Sequence, residues 1–424
     1  RLIERAGFKS STFLSPSPDY KLPNSIITEA GFATQEFDAA ALAWQNVKKD
    51  PQLPGTTHFN LEKAWPVVID NDLGMDLANS FLIAASCDGA PTIAKTILAY
   101  HYSTGRRAPY CKESKFVKTE QGIEVRYRRL AQKAVHEENK LFNYVLPDTD
   151  AYAAGHVLSQ QFLEKASDVD WTPASFTPFL QAYLQKLRVL LLDDGVNVDL
   201  KNIKDLLPGK YIDAVPHNIV IKEDGSPCLI DIEWELAEGV ELGHLLMRSL
   251  LLLLASATPT YSGHSTPSRQ EFIIELLGNV GLQITPVDLD RYIGEEARFQ
   301  QNVTGRNISS FLDWSPHKSV QARGVTEAKG ATATLYYGNT ADSFSEAQTI
   351  NQELTTGAQT IVFCLKDIPA ECNKLRLDPV NTRQPYFISR MQLSRNGQSV
   401  WLWQGNGEIN SGAVKLSRLD NAAL

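Results

Sequence analysis

Three residues in Tyr211–Glu235 (YIDAVPHNIVIKEDGSPCLIDIEWE) have types and spacing that suit chemistry. Asp213 is followed five residues on by Asn218, and Asp231 comes thirteen after that. Ile219, Val220 and Ile221 predict a strand, Glu223-Asp224-Gly225-Ser226 a turn, and Cys228-Leu229-Ile230 a second strand running into Asp231. Such a hairpin sets Asn218 and Asp231 side by side at its open end, with Asp213 overhanging from the loop before it. Two oxygen ligands beneath a free carboxylate suit a hard divalent cation carrying nucleotide phosphates, and a hydroxyl whose proton that carboxylate takes or orients. Asp and Asn are also ordinary turn residues, and each alone would mean no more than a surface hairpin.

Other elements must hold this hairpin. Upstream, Asn79–Cys87 and Thr92–Tyr102 read as strands, and STGRRAPY as a turn. Lys112–Lys118 and Ile123–Arg129 follow as strands around Gln121-Gly122. Phe37–Pro66 looks irregular, Ala131–Val145 is helical by pattern, and Ala151–Leu163 reads as strand, turn and strand. Ser175–Leu192 places apolar residues at three and four spacing, the pattern of an amphipathic helix leading to the Asp213 loop. Helices are expected over Glu241–Ala255, Arg269–Leu277 and Pro286–Phe299. Beyond residue 325 short strands at even spacing, among them Thr360–Leu365, Leu375–Leu377, Tyr386–Leu393 and Val400–Trp403, predict an all-β sandwich.

With these residues in view, the Asp213 stretch resembles the protein-kinase-like fold. The kinase catalytic loop has an Asp, four intervening residues and an Asn, with a metal-binding Asp at the next strand turn. Here D-A-V-P-H-N and L-I-D-I-E supply the pattern. The chain departs from protein kinases in Tyr211-Ile212-Asp213 and Asp231-Ile232-Glu233, and looks more like the small-molecule and sugar kinases of that superfamily. The resemblance implies Asp213 as base and Asn218 and Asp231 as ligands of Mg²⁺ bound with ATP. No G-x-G-x-x-G and no V-A-I-K lysine stand upstream. Arg106 and Arg107 are candidates to replace the glycine loop's amides at phosphate, because guanidinium forks bind its oxygens bidentately. Arg126 or Arg128 would stand in for the lysine, with Glu137 or Glu138 as its partner. His217, Glu233 and Trp234 are candidate substrate contacts.

The fold class implied is α+β: a two-lobed kinase-like fold followed by an all-β sandwich. The expected domains are 1–35, a linker or the C-terminal remnant of an upstream methyltransferase; 36–165, the N-terminal lobe; 166–325, the α-rich C-terminal lobe; and 326–424, the sandwich. RLIERAGF, a helix ended at Gly7, with Lys9–Leu14 resembles the last helix and strand of a class I methyltransferase, whose cofactor loop would lie before Arg1. "LYYG…FSE" and "LRLDP" are similar to a β module of bacterial polysaccharide glycosyltransferases and methyltransferases. On it, Tyr336, Tyr337, Trp401 and Trp403 would form a sugar-stacking surface if exposed.

Together these resemblances point to a bacterial methyltransferase–kinase type protein that phosphorylates a sugar hydroxyl on a glycan or surface polysaccharide. Its expected partners are a glycan or sugar acceptor and an upstream methyltransferase or glycosyltransferase domain of the parent chain. The alternative is a catalytically inactive kinase-like scaffold, or a glycan-binding region of a larger transferase.

Composition sets outer bounds. A length of 424 residues predicts two or three domains. With 41 basic and 49 acidic residues the formal charge is −8, which gives no support to a nucleic-acid surface. Five scattered cysteines without CxxC spacing suit reduced thiols, and hence a cytoplasmic location, free or peripheral at the inner membrane. His244–Ala257 is apolar but short and carries Arg248, so a buried helix is expected there and no transmembrane segment.

Overall fold

The computed structural model describes residues 2–53, 61–131, 141–169, 171–261, 266–306, 314–321, 323–324, 332–339, 344–345, 347–355, 359–366, 368–369, 372–379, 388–404 and 409–411. The chain divides into two compact units, Arg1–Val325 and Thr326–Leu424. The whole is mixed α+β, with one large antiparallel sheet and several small ones.

The first unit opens with α1 (Leu2–Arg5), β1 (Ser10–Ser17), β2 (Ser25–Thr28), α2 (Glu29–Ala33), α3 (Ala39–Val47) and α4 (Leu61–Asp70). Then come β3 (Leu82–Ser86), β4 (Ile97–Ser103), β5 (Lys112–Thr119), β6 (Gly122–Arg129), β7 (Phe142–Tyr144) and β8 (Thr149–Ala151). Seven of these strands form the large sheet in the order β3-β1-β2-β4-β5-β6-β8. The segment 1–35 thus supplies two of its strands.

Residues opposite one another on paired strands share a face of the sheet. The register therefore makes two neighbouring rows. Ile27, Ala99, Phe116 and Val125 form an apolar row, and Phe116 meets Phe37, just ahead of α3, at 5.2 Å between ring centroids. Two residues along, Ser25, His101, Ser114 and Tyr127 form a polar row, with Lys112 beside it opposite Ser103. Helix α3 packs over both rows, with Leu42 in the apolar cluster and Asn46 Nδ2 donating to Ser25 Oγ of the polar row at 2.9 Å.

The rest of the unit runs β9 (His156–Val157), α5 (Ser159–Ala166), α6 (Thr177–Asp193), β10 (Leu206–Leu207), β11 (Ile219–Ile221), β12 (Pro227–Leu229), β13 (Trp234–Leu236), β14 (Val240–Glu241), α7 (Leu242–Ser256), α8 (Arg269–Asn279) and α9 (Pro286–Thr304). Phe179, Leu180, Tyr183, Leu187 and Leu191 bury one stripe of α6, and α7 is buried on almost every side. Capping boxes at Ser268/Glu271 and Thr285/Asp288 start α8 and α9, and Gly305, left-handed at φ 70°, ends α9. Together α5 to α9 form the main core, onto which the hairpin β11–β12 packs.

Several sequence expectations are corrected. Phe37–Pro66 is not irregular: the Ala-rich stretch after Asp38, whose Oδ1 accepts from Ala41 N at 2.8 Å, forms α3, and α4 begins at Leu61. Phe142–Tyr144, expected in a helix, pairs with β13, while 132–140, including Glu137 and Glu138, lie outside the described residues. Ser159–Leu163 belongs to α5 and not to a strand, since Phe162 and Ala166 share its buried side.

In the second unit Thr332–Gly338 is the middle strand between Thr349–Glu353 and Lys374–Asp378, and Gln398–Gln404 lies between Arg390–Arg395 and Ile409–Ser411. Thr360–Leu365 forms no strand. Tyr336 and Trp401 are buried, with the Arg376 guanidinium 4.3 Å over the Tyr336 ring, so these two do not belong to an exposed stacking surface. Among the described residues no helix is long and apolar enough to cross a membrane.

Candidate active site

The hairpin forms as its sequence dictates. Ile219 pairs with Leu229 and Ile221 with Pro227, and Gly225 at φ 79° closes the turn. The ladder continues one step further, where Ile230 N donates to Asn218 O at 2.8 Å. Asp231 then leaves the strand at φ 57°, a left-handed conformation that Asp tolerates better than most residues. Asp213 ends a 3₁₀ turn that begins at Gly209.

Asp213 does not overhang this site as a free carboxylate. It is 4 % exposed, and its Oδ2 accepts from the backbone amides of Glu233 at 2.7 Å and Trp234 at 2.8 Å. Asn218 Nδ2 donates to Asp213 O at 3.0 Å. These bonds lock the loop, the start of the hairpin and its exit together. Burial pushes the Asp213 carboxyl up to about 7, against the pull of Arg248 and of the two amides.

Above the hairpin stands Lys112, the first residue of β5 and almost fully buried. Its Nζ donates to Asp231 Oδ1 and pairs with Glu233 Oε1 at 2.6 Å, while lying 4.7 Å from the Tyr127 ring centroid. Arg106, in the loop between β4 and β5, pairs through Nη1 with Glu233 Oε2 at 2.6 Å. Burial opposes the Lys112 ammonium, yet Asp231 and Glu233 hold it above the ordinary lysine value. The two carboxylates diverge. Burial disfavours the charge on both, but Lys112 and Arg106 keep Asp231 below the usual range, whereas burial and the neighbouring Asp231 leave Glu233 above it. Asp231 is the one that stays ionised and open, its side chain 36 % exposed.

The structure brings together Asp213, Asn218, Asp231, Glu233 and Arg106 of the residues expected from sequence. It places the others elsewhere. Arg126 pairs with Glu124 at 2.6 Å and Arg128 with Glu113 at 3.0 Å, both on the face of β6 opposite Tyr127, so neither replaces the lysine. Arg107 is seated at the end of α9, its backbone amide donating to Val303 O at 2.8 Å. His217 is half-buried, with Nε2 3.0 Å from Ser256 Oγ and its ring 6.4 Å from that of Trp44; burial lowers its pKa to about 4, so it is neutral. Trp234 is core, packed among Tyr110, Phe142, Tyr144 and Phe299, and is not a substrate contact.

Sequence reasoning missed Lys112 and His101. His101 Nδ1 lies 2.8 Å from Ser25 Oγ, which in turn accepts from Asn46 Nδ2 at 2.9 Å. Burial first, and then the nearby Lys49, lower its pKa to about 3, against the pull of Asp231. Asp231 Oδ2 and Asn218 Oδ1 accept no hydrogen bond from the described residues. The arrangement is a buried lysine clamping an exposed carboxylate, with an amide oxygen beside it and a second, protected carboxyl beneath. Compared with protein-family models, curated proteins and solved structures, the chain matches none.

Proposed function

We propose that this chain is a kinase-like phosphotransferase of two lobes, which uses ATP and Mg²⁺ to phosphorylate a sugar hydroxyl of a glycan or surface polysaccharide. The observation that carries the reading is the ion pair of buried Lys112 with Asp231 at the mouth of the Asn218–Asp231 hairpin. The kinase-like fold asks for a strand lysine that can meet phosphate close to the metal-binding aspartate. Lys112 meets that requirement from β5, where no sequence motif announced it.

The donor set suits magnesium. Asp231 Oδ2 and Asn218 Oδ1 are uncommitted, and among the described residues no group of three His, Cys, Asp or Glu could hold a metal by itself. Magnesium is commonly held by one or two protein oxygens plus phosphate and water. Bound there with the nucleotide, it would supply neutralisation of phosphate charge.

The remaining work falls to the chain's own side chains. Lys112 turns from Asp231 toward phosphate when the nucleotide enters, and Arg106, still anchored by Glu233, adds a second cationic contact. Asp213, held by two amides through Oδ2, orients the acceptor hydroxyl and takes its proton. In-line positioning and charge neutralisation account for most of the expected rate. Resemblance of the 326–424 motifs to a module of bacterial polysaccharide glycosyltransferases and methyltransferases supports a glycan as acceptor and a methyltransferase or glycosyltransferase as neighbour in a longer protein.

A second reading is favoured by the burial of Asp213: a kinase-like scaffold that binds nucleotide without transferring phosphate. Thermal shift with Mg-ATP on the chain and on Asp231→Ala tests the site. Stabilisation by Mg-ATP beyond that of Mg²⁺ or ATP alone, lost in the variant, supports it, and no response in either protein sinks it. Phosphate transfer from labelled ATP to glycan acceptors then separates the two readings.

A further inference from the structure

Helix α3 is buried on almost every side, with seven of its nine residues enclosed, as a helix held between two layers would be. Its opposite sides meet different neighbours. Leu42 and Asn46, one turn apart, face the large sheet. Leu42 joins the apolar cluster of Ile27, Leu98 and Ala99, and Asn46 Nδ2 donates to Ser25 Oγ at 2.9 Å. Trp44 and Lys48, also one turn apart, lie two residues round the helix and face the other way. The Trp44 ring stands 6.4 Å from that of His217, and Lys48 Nζ donates to Thr258 Oγ1, just beyond α7. Thr258 Oγ1 in turn donates to Glu62 Oε1 of α4 at 3.0 Å.

Each side leads to one member of the Lys112–Asp231 pair. Ser25 belongs to the polar row with His101, Ser114 and Tyr127, and Lys112 Nζ lies 4.7 Å from the Tyr127 ring centroid. Across the helix, His217 precedes Asn218, whose carbonyl accepts from Ile230 N at 2.8 Å, one residue before Asp231. The lysine thus rides on the sheet and the aspartate on the loop and hairpin, with α3 packed between the two. Trp44 supplies bulk there: it is 4 % exposed, and its Nε1 has no hydrogen-bond partner among the described residues.

We propose that Trp44 is a positioning residue, through which α3, anchored to the sheet by Asn46, acts as a wedge that sets the separation of Lys112 from Asp231. Close-packed interiors transmit a displacement at one such contact, because their side chains leave no slack to absorb it. This deepens the phosphotransferase reading, on which the consequence for nucleotide binding rests, since a nucleotide phosphate must fit between the same two groups.

The test follows the Lys112 ammonium itself, by its Nζ–H signal in nitrogen-15 NMR of the full chain, assigned with Lys112→Arg. Trp44→Leu should shift that signal and speed its solvent exchange about tenfold, as the pair loses its fixed spacing. Trp44→Phe, which keeps an aromatic ring in place, should restore most of the parent behaviour. Leu276→Ala, a cavity in α8, should lower the melting temperature without moving the signal. Lys48→Gln, at the partly exposed end of the same side of α3, should give a smaller change in the same direction, and it decides the matter if Trp44→Leu does not fold. Unchanged exchange in these two α3 variants, or an equal response in Leu276→Ala, overturns the proposal. Calorimetry with Mg-ATP on the same proteins completes the test. Binding weakened in Trp44→Leu and recovered in Trp44→Phe supports the wedge, and equal affinity beside altered exchange overturns its role in the site. If the parent binds no Mg-ATP while the exchange difference persists, the kinase reading falls and the wedge stands.

Discussion

Lys112 and Asp231, 119 residues apart in sequence, meet in one charge-assisted hydrogen bond that ties the start of β5, an inner strand of the seven-stranded sheet, to the mouth of the hairpin. The lysine is buried and the carboxylate half-open, so the pair is asymmetric. Something entering from solvent reaches Asp231 first, and Lys112 can follow only by leaving it.

Lys112→Met should cost on the order of 3–5 kcal/mol of stability, because it leaves buried Glu233 with Arg106 as its one remaining charge partner. Adding Glu233→Gln should restore more than half of that loss by removing the stranded charge. Urea unfolding of the two variants checks both statements. A loss below about 1 kcal/mol in Lys112→Met would mean that the pair is solvated in solution.

Asp231 can be separated into its backbone and its charge. Asn also tolerates the left-handed conformation, so Asp231→Asn should fold like the parent while losing the magnesium-dependent part of any stabilisation by ATP. Asp231→Gly should lose the same response while relieving about 1–2 kcal/mol of backbone strain, partly offset by the extra freedom of glycine when unfolded. Thermal shift with ATP, with and without magnesium, distinguishes them. A magnesium response retained in Asp231→Asn would overturn this carboxylate's proposed role as a magnesium ligand.

The hairpin and the Asp213–Asn218–Asp231 spacing were legible because a strand, a turn and a strand over so few residues leave one register. Lys112 was not legible. On β5 it shares one face and one pattern with Ser114, Phe116 and Lys118, while Lys115 lies on the other face of the same strand. Alternation alone does not say which lysine meets carboxylates that arrive more than a hundred residues later. Arg126 and Arg128 misled for the complementary reason: their strand was right, but the inward face belongs to Val125 and Tyr127, which the pairing across β5 decides. The burial of Asp213 was hidden too, since the amides that hold it lie at Glu233 and Trp234, beyond the hairpin. Helix α3 is hard to read from sequence because its nine-residue Ala-rich run is short and carries few large apolar residues to mark a helical face.

Stability and activity should respond to pH in opposite directions through Asp213. Its folded pKa of about 7 lies above the roughly 3.9 of an unfolded aspartate, so the folded chain binds the extra proton between those values. Stability from this carboxyl is fully present below about pH 4 and is lost as pH rises to about 7, by up to about 4 kcal/mol. Asp213→Asn should remove that slope. Any phosphate transfer should instead rise through about pH 7 as the base form appears, and Asp213→Asn should abolish it. Melting curves across pH 4–8 for both proteins provide the check. Identical slopes would mean that Asp213 is ionised throughout.

Gly209 sets the height of the Asp213 loop over β13. A Cβ built on it would stand 1.9 Å from Leu236 O, a backbone atom that cannot move aside without shifting the strand whose first amide holds Asp213. Gly209→Ala should therefore cost several kcal/mol, in the range of overpacked cores, and should raise proteolytic cleavage around residues 209–218. Gly195 offers the contrast. Its φ is +74°, but nothing lies within 4 Å of an added Cβ, so Gly195→Ala should cost only about 1 kcal/mol of local strain and leave the loop protected. Urea unfolding with limited proteolysis measures the two together. Equal losses would show that backbone conformation, and not the close approach to Leu236, is what Gly209 provides.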